Sequence, residues 1–244
     1  MKIVGMIPAR LGSTRFPEKV LRLICGRPMI EHVWNRARLA KNLSDVWIVC
    51  DDTRVLDAAK KFGANALLTR PDHPNGTSRI AEAAEKIHAD VFVNIQGDEP
   101  LMDPANIEAV AAAFSINPEL QVATAAVRRH DLEGYHNPNV VKVVCDEKGR
   151  ALYFLRSPLP FFRDETQISY LKHLGLYAYR RSFLLEFVKW PAGRLEAVEK
   201  LEQLRMLERG IEIRVVETGG DSPGVDTPED LALVEKRMTQ EGKA

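Results

Sequence analysis

Lys2-Ile3-Val4-Gly5-Met6-Ile7-Pro8-Ala9-Arg10 opens the chain with a short apolar run that ends at a proline and an arginine. Beyond it, Ile30, Val33, Trp34 and Ala37 recur at helical spacing, so this segment predicts strand, loop, helix. The unit then repeats. Residues 46–50 are largely β-branched and lead into Asp51-Asp52-Thr53, and residues 55–62 are helical in pattern with Gly63 as the stop. A third strand is expected over 66–69, a third helix over 80–87 and a fourth strand over 91–95, which delivers the chain to Gln96-Gly97-Asp98-Glu99-Pro100. Alternation of this kind predicts an α/β fold. Its sheet is mostly parallel and Rossmann-like, with helices on both faces and ligands beyond the carboxyl ends of the strands, where Arg10 and Asp98 fall.

After a helical stretch at 105–114 the pattern changes. Strand-like segments at 122–127 and 140–145 lead to Asp146-Glu147-Lys148-Gly149, a hairpin turn into residues 151–155, which predicts a smaller antiparallel insertion. The spacing of Leu195, Val198, Leu201 and Leu204 predicts one long amphipathic helix over 195–208 that stops at Gly210. A late strand over 211–217 and a final helix over 228–238, with Thr227 as its N-cap, complete the reading. With no linker or low-complexity tract, residues 1–244 read as a single domain with an antiparallel subdomain around 122–190.

A chain of 244 residues can bury one sizeable core. Its 34 basic and 34 acidic side chains balance, so bulk charge gives no reason to expect nucleic acid, and an anionic substrate must meet a local cluster of cations. Cys25, Cys50 and Cys145 are too scattered for a zinc cluster or a disulfide framework and read as buried free thiols. Pro8 and Arg10 interrupt the first apolar stretch before a signal-peptide core or membrane span is complete, so no membrane association and a cytoplasmic location are expected.

Four constellations carry chemistry. The loop Pro8-Ala9-Arg10-Leu11-Gly12-Ser13-Thr14-Arg15-Phe16-Pro17-Glu18-Lys19 follows the first strand and is rich in small and cationic residues. Backbone N–H groups of such a loop can cradle a polyphosphate while Arg10, Arg15 and Lys19 neutralise it; a solvated basic loop is the plainer alternative. It has neither G-x-G-x-x-G nor G-K-[ST]. Asp98, at the end of an apolar strand, fits either one carboxylate of a Mg²⁺ site or a turn-former. Asp226, in Gly224-Val225-Asp226-Thr227-Pro228-Glu229-Asp230, fits either a metal ligand or a helix cap. The fourth group joins Arg156-Ser157-Pro158-Leu159-Pro160, Lys172-His173-Leu174-Gly175-Leu176-Tyr177 and Leu201-Glu202-Gln203-Leu204-Arg205. Arginine can grip a carboxylate bidentately, while His, Glu and Gln can fix hydroxyls. Taken singly, His173 is equally a packing residue and Glu202 a helix-face charge.

These motifs, in this order, resemble those of the 3-deoxy-manno-octulosonate (Kdo) cytidylyltransferase family: I-P-A-R-x-x-S-T-R-x-P-x-K, N-x-Q-G-D-E-P, R-S-P-I-P, K-H-x-G-I-Y, L-E-Q-L-R and G-V-D-T-P-E-D-L. The resemblance runs from Ile3 to about Val234 and implies a nucleotidyltransferase sheet. It implies Arg10 and Lys19 on the triphosphate of CTP, with Ala9, Ser13, Arg70, Asn75 and Gly76 completing the nucleotide side. It implies Asp98 and Asp226 as a magnesium pair, and Gln96, Arg156, His173, Tyr177, Glu202 and Gln203 around Kdo. The catalytic set is thus Arg10, Lys19, Asp98 and Asp226. The implied reaction is attack of the anomeric hydroxyl of the sugar acid on the α-phosphorus of CTP, giving CMP-Kdo and pyrophosphate for lipopolysaccharide or capsule synthesis. CTP and Kdo are the expected small-molecule partners, Mg²⁺ the cofactor and a homodimer the assembly. The sequence departs from the family at Glu18 and Val20, which replace a glycine and a proline beside the lysine, at Ser78, which replaces an acidic residue, and at Leu155, which replaces a serine. The same transfer to 8-amino-Kdo or a sialic acid stays open, and a nucleotide-sugar glycosyltransferase or a non-catalytic CTP-binding protein are readings of other classes. Asp51-Asp52 lacks the Asp-x-Asp spacing that a glycosyltransferase often uses.

Overall fold

The first apolar run forms β1 (Ile3–Ala9), and nearly every residue of it is buried. A strand apolar on both faces requires a layer of helices on each side. Ile3, Ile7 and Ala9 enter one core cluster and Val4 and Met6 the other. The structure, a computed structural model, describes residues 1–12, 16–163, 168–240 and 242. β4 (Asp45–Cys50) and β6 (Val91–Asn94) flank β1 and run parallel to it, and β5 (Asn65–Leu68) adds beyond β4. The crossovers are α1 (Met29–Ala37), α2 (Thr53–Lys61) and α3 (Gly76–Lys86). The expected strand-helix repeats are therefore present. A short hairpin of β2 (Leu23–Ile24) and β3 (Arg27–Pro28), not foreseen, turns on Cys25 and Gly26, both left-handed at φ 49° and 80°.

The second half of the sheet is mixed. α4 (Pro104–Ile116) leads to β7 (Val122–Arg129), α5 (Leu132–His136) to the hairpin of β8 (Lys142–Cys145) and β9 (Ala151–Leu155), and the chain returns along β10 (Tyr170–Arg180). β10 lies antiparallel between β6 and β7, so an antiparallel strand is threaded into the middle of the main sheet, while β8 and β9 hang from one end of it. α6 (Arg181–Phe187), α7 (Arg194–Glu199) and α8 (Leu204–Leu207) follow, then β11 (Ile213–Thr218) parallel to β7, then α9 (Pro228–Gln240). Residues of α1, α2, α4 and α9 fill one core cluster; those of α3, α6 and α8 fill the other.

The single helix expected over 195–208 is instead two pieces, α7 and α8. Lys200 takes a left-handed conformation at φ 56° and its N–H closes α7 on Glu196 O. Val198, assigned to the apolar face, is 76% exposed, whereas Leu201 turns into the core. The break is stabilised by polar bonds: the Glu202 carboxylate accepts from Asn75 Nδ2 and Thr77 Oγ1, both at 2.7 Å. Glu202 and Gln203 thus lie in a turn, not on a helix face.

Gly97 sets how closely β1 and β6 converge at their carboxyl ends, since a Cβ there would lie 2.8 Å from Pro8 O. Gly97→Ala is expected to destabilise the protein by about 1–3 kcal/mol, because backbone must move to admit the methyl. The readout is the urea midpoint at unchanged slope. Gly219→Ala, where nothing lies within 4 Å, is the matched control, and equal midpoints for the two variants would refute the close-approach argument.

Candidate active site

Three loops meet beyond the strand ends. The loop after β6 carries Asp98, the loop after β11 carries Asp226, and Val225 N donates to Asp98 O at 2.8 Å, which ties the two together. Lys19, at the start of a one-turn 3-10 helix over Lys19–Leu21, reaches into this junction. Its Nζ lies 2.7 Å from Asp98 Oδ2 and 3.0 Å from Asp226 Oδ1. Burial alone would lower the Lys19 pKa, but the charge and hydrogen bond of Asp98, then those of Asp226, outweigh it and hold the pKa above its usual value. Lys19 is therefore a charged ammonium at neutral pH. Beside it, burial and then the Asp98 charge push the Glu99 carboxyl up to about 8, which leaves it mostly protonated at pH 7.

The loop around Asp226 has its own support. Asp230 Oδ2 accepts the N–H groups of Asp226 and Thr227, each at 3.0 Å, and Asp230 N donates to Thr227 Oγ1 at 3.2 Å. Thr227 thus caps the last helix, and the Asp226 carboxylate faces Lys19. The first loop is braced from behind. Leu11 N donates to Asp51 Oδ1 at 3.0 Å, and Arg79, only 3% exposed, donates to Asp51 Oδ2 at 3.2 Å. Neither Asp51 nor Arg79 stood out in the sequence as a supporting residue; their signal is spatial. Glu18 takes a left-handed φ of 56°, a conformation natural to the glycine it replaces, and pairs with Arg54 at 2.7 Å. Ser78 Oγ donates to Asn75 O at 3.0 Å, within the first turn of α3.

Two cavities adjoin here. One, of about 340 Å³, is lined by Arg10, Lys19, Asn75, Gln96, Asp98 and Asp226 among others. The second, of about 220 Å³, is lined by Asn94, Gln96, His173, Tyr177, Glu202 and Gln203 among others. Gly76 and Gln96 belong to both walls. Gln96 Nε2 donates to Gly175 O at 2.8 Å, which fixes the partition. Burial raises the Glu202 carboxyl pKa, opposed by the Thr77 hydroxyl and the Arg205 charge.

Most of the site residues expected from the sequence are therefore assembled, with the nucleotide-side and sugar-side groups in adjacent spaces. Ala9 is buried at the end of β1. Ser13 and Arg15 lie outside the described residues. Arg70 and Arg156 line neither cavity. The Arg70 guanidinium lies 3.6 Å from both Asp72 and Glu82, and that of Arg156 donates to Glu199 O at 2.8 Å and Pro138 O at 2.9 Å. Among the described residues no cluster of three or more His, Cys, Asp or Glu could hold a metal. Mg²⁺ needs only one or two carboxylates when phosphate and water complete its shell. The Asp98–Asp226 pair fits that requirement, since one cationic group, the Lys19 ammonium, touches both. Cys25, Cys50 and Cys145 are free thiols, Cys50 buried and the other two half-buried.

His173 Nε2 lies 3.0 Å from Thr124 Oγ1, whose hydroxyl donates to Leu176 O at 2.8 Å. Nε2 therefore carries the proton in a neutral imidazole, and burial pushes the His173 pKa down to about 3. An unfolded histidine near 6.5 binds a proton that the native one refuses, so stability is lost as pH falls from about 6.5 towards 3. At pH 5 the loss is about 2 kcal/mol relative to pH 8. His173→Gln is expected to lose that much less stability than the parent between pH 8 and pH 5, by urea titration. Parallel losses in both proteins would contradict this.

A cation-rich loop after the first parallel strand and an aspartate pair in the wall of the first of two adjoining cavities place the protein among the nucleotidyltransferases. The profile of the cytidylyltransferase family matches residues 4–213, and the chain belongs to that family. It is 49% identical to the 3-deoxy-manno-octulosonate cytidylyltransferase of Trichlorobacter lovleyi over 98% of this chain and 100% of that one. It is 46% identical to an 8-amino-3,8-dideoxy-manno-octulosonate cytidylyltransferase of Shewanella sediminis over 98% and 99% of the two chains. Among solved structures, a CMP:2-keto-3-deoxy-manno-octonic acid synthetase complexed with CTP superposes with a TM-score of 0.95 at 43% identity, covering 99% of this chain and all of that one.

Proposed function

We propose that this protein transfers CMP from CTP to Kdo and releases pyrophosphate, in the synthesis of lipopolysaccharide or capsule. The observation that carries the mechanism is the Lys19 ammonium shared by Asp98 and Asp226 in the wall of the first cavity, which meets the second along Gly76 and Gln96. In this reading the anomeric hydroxyl oxygen of the sugar attacks the α-phosphorus in line, the bond from that phosphorus to the bridging oxygen breaks, and pyrophosphate leaves. Arg10 and Lys19 bind the triphosphate and neutralise the leaving group, while Asn75 and Gly76 line the nucleotide cavity. Gln96, His173, Tyr177, Glu202 and Gln203 hold the sugar against it, so the contribution of the chain is chiefly positioning. Asp98 and Asp226 would hold Mg²⁺, which supplies charge neutralisation at the transferred phosphate and a more acidic attacking hydroxyl.

The relatives named for Kdo support that sugar, and the Shewanella relative is the reason to test the amino sugar beside it. Coupled pyrophosphate release with Mg²⁺, crossing CTP and UTP against Kdo, 8-amino-Kdo and N-acetylneuraminate, is the direct test. CTP-dependent turnover with Kdo is expected, and silence with every pair would overturn the reading. A cytoplasmic homodimer is part of the same proposal, with residues around 122–190 as the contact region. Phe161, 81% exposed, and the exposed Leu152 of the edge strand β9 support it. Among the described residues no helix is long and apolar enough to cross a membrane.

A further inference from the structure

We infer that Asn94 is a further sugar-positioning residue, whose side-chain amide accepts a hydrogen bond from a hydroxyl of the acceptor sugar. The inference rests on the functional reading above and adds a residue to it. Asn94 is the last residue of β6, in register with Met6 of β1 and Tyr177 of β10. It continues the face on which Phe92 packs into the core, so an apolar side chain would suit the strand there. The amide is instead 4% exposed, and its Oδ1 is buried with no hydrogen-bond partner. Leaving an acceptor unpaired at that depth is costly, and a native fold keeps such a group for a reason.

The same cavity holds its complement. Gln203 is 6% exposed, and its Nε2 is likewise buried without a partner. Three neighbouring polar groups are already engaged, Gln96 Nε2 with Gly175 O, the Glu202 carboxylate with Asn75 and Thr77, and His173 Nε2 with Thr124, while the Tyr177 hydroxyl of the same wall is buried without a partner too. One orphan acceptor and one orphan donor therefore line a single cavity together with the unpartnered Tyr177 hydroxyl, and none of the three bonds another protein group. A hydroxyl both donates and accepts, so a polyhydroxylated ligand satisfies both where an ammonium would satisfy only the acceptor. Asn94 ends an apolar strand as conspicuously as Asp98 follows it.

The test is steady-state kinetics of Asn94→Leu and Asn94→Ala with CTP and Kdo, alongside thermal melts. The expected result is a Kdo KM raised roughly ten- to hundred-fold, a CTP KM within about two-fold of the parent, and for Asn94→Leu a Tm equal to or above the parent, because the orphan acceptor is gone. If Asn94 were structural, or if its amide served only a resident water, the Kdo KM would not move while Tm fell, and that outcome overturns the inference. A parallel rise in both KM values would also overturn it. Silence of the parent protein on every sugar acid would sink the functional reading itself, whereas parent turnover with an unmoved Kdo KM in a folded variant would sink only the role of Asn94.

Discussion

Asp98→Asn is expected to lower kcat by about a thousand-fold, with Asp226→Asn close behind, while both variants keep the parental fold. The side chains of these residues share one cationic partner, whereas the fold depends on backbone contacts that an amide leaves alone: Val225 N to Asp98 O, and the two N–H bonds to Asp230. Exchanging one carboxylate for an amide halves the charge presented to a divalent cation. Losing such electrostatic stabilisation of the transferred phosphate costs about 4 kcal/mol in the barrier, which is the thousand-fold. The two carboxylates act as a unit, so the double variant should be little worse than either single one. The check is kcat over a Mg²⁺ titration, beside far-UV circular dichroism and Tm. Near-parental turnover in either folded variant would remove the aspartate pair from the mechanism.

Lys19→Met should fall almost as far, by about a hundred- to a thousand-fold in kcat, with a raised CTP KM. It also makes a prediction that does not involve turnover. Removing the ammonium takes away the cation that Asp98 and Asp226 share, and the repulsion between the two carboxylates rises. Mg²⁺ without nucleotide should therefore raise the Tm of Lys19→Met more than that of the parent, in which the metal must compete with a tethered cation. Equal shifts in the two proteins would show that Lys19 and the metal do not share the site. Lys19→Arg is expected to rescue poorly, because a planar guanidinium fork cannot replace a compact point charge between two carboxylates.

The sheet was largely legible because apolar runs, punctuated by Pro8, Asp51 and Gly97, leave few alternatives to buried parallel strands. What escaped was local geometry that side-chain pattern does not encode. Leu195, Val198, Leu201 and Leu204 have helical spacing, yet the left-handed turn at Lys200 divides them, because Glu202 finds hydrogen-bond partners on α3 that no local window contains. The hairpin at Cys25-Gly26 was hidden since cysteine is no turn-former by habit. Arg156 was placed at the sugar by motif resemblance, but its guanidinium engages main-chain carbonyls of Pro138 and Glu199. Asn94 carried the same signal that singled out Asp98, a polar residue interrupting an apolar strand, and only its orphaned oxygen in the structure makes that signal chemical.

The hydrogen bond from Val225 to Asp98 also bears on the order in which the working protein comes into being. One half of the carboxylate pair leaves the ribosome with the first parallel strands, while the other waits for nearly the whole remaining chain. Translation at about 5–20 residues per second puts several seconds between them. Through that interval the nascent sheet can pair Asp98 with Lys19 but lacks the second carboxylate and the Val225 N–H. Catalytic competence therefore arrives only near the end of synthesis, and a chain truncated before Asp226 is expected to be a folding intermediate without chemistry.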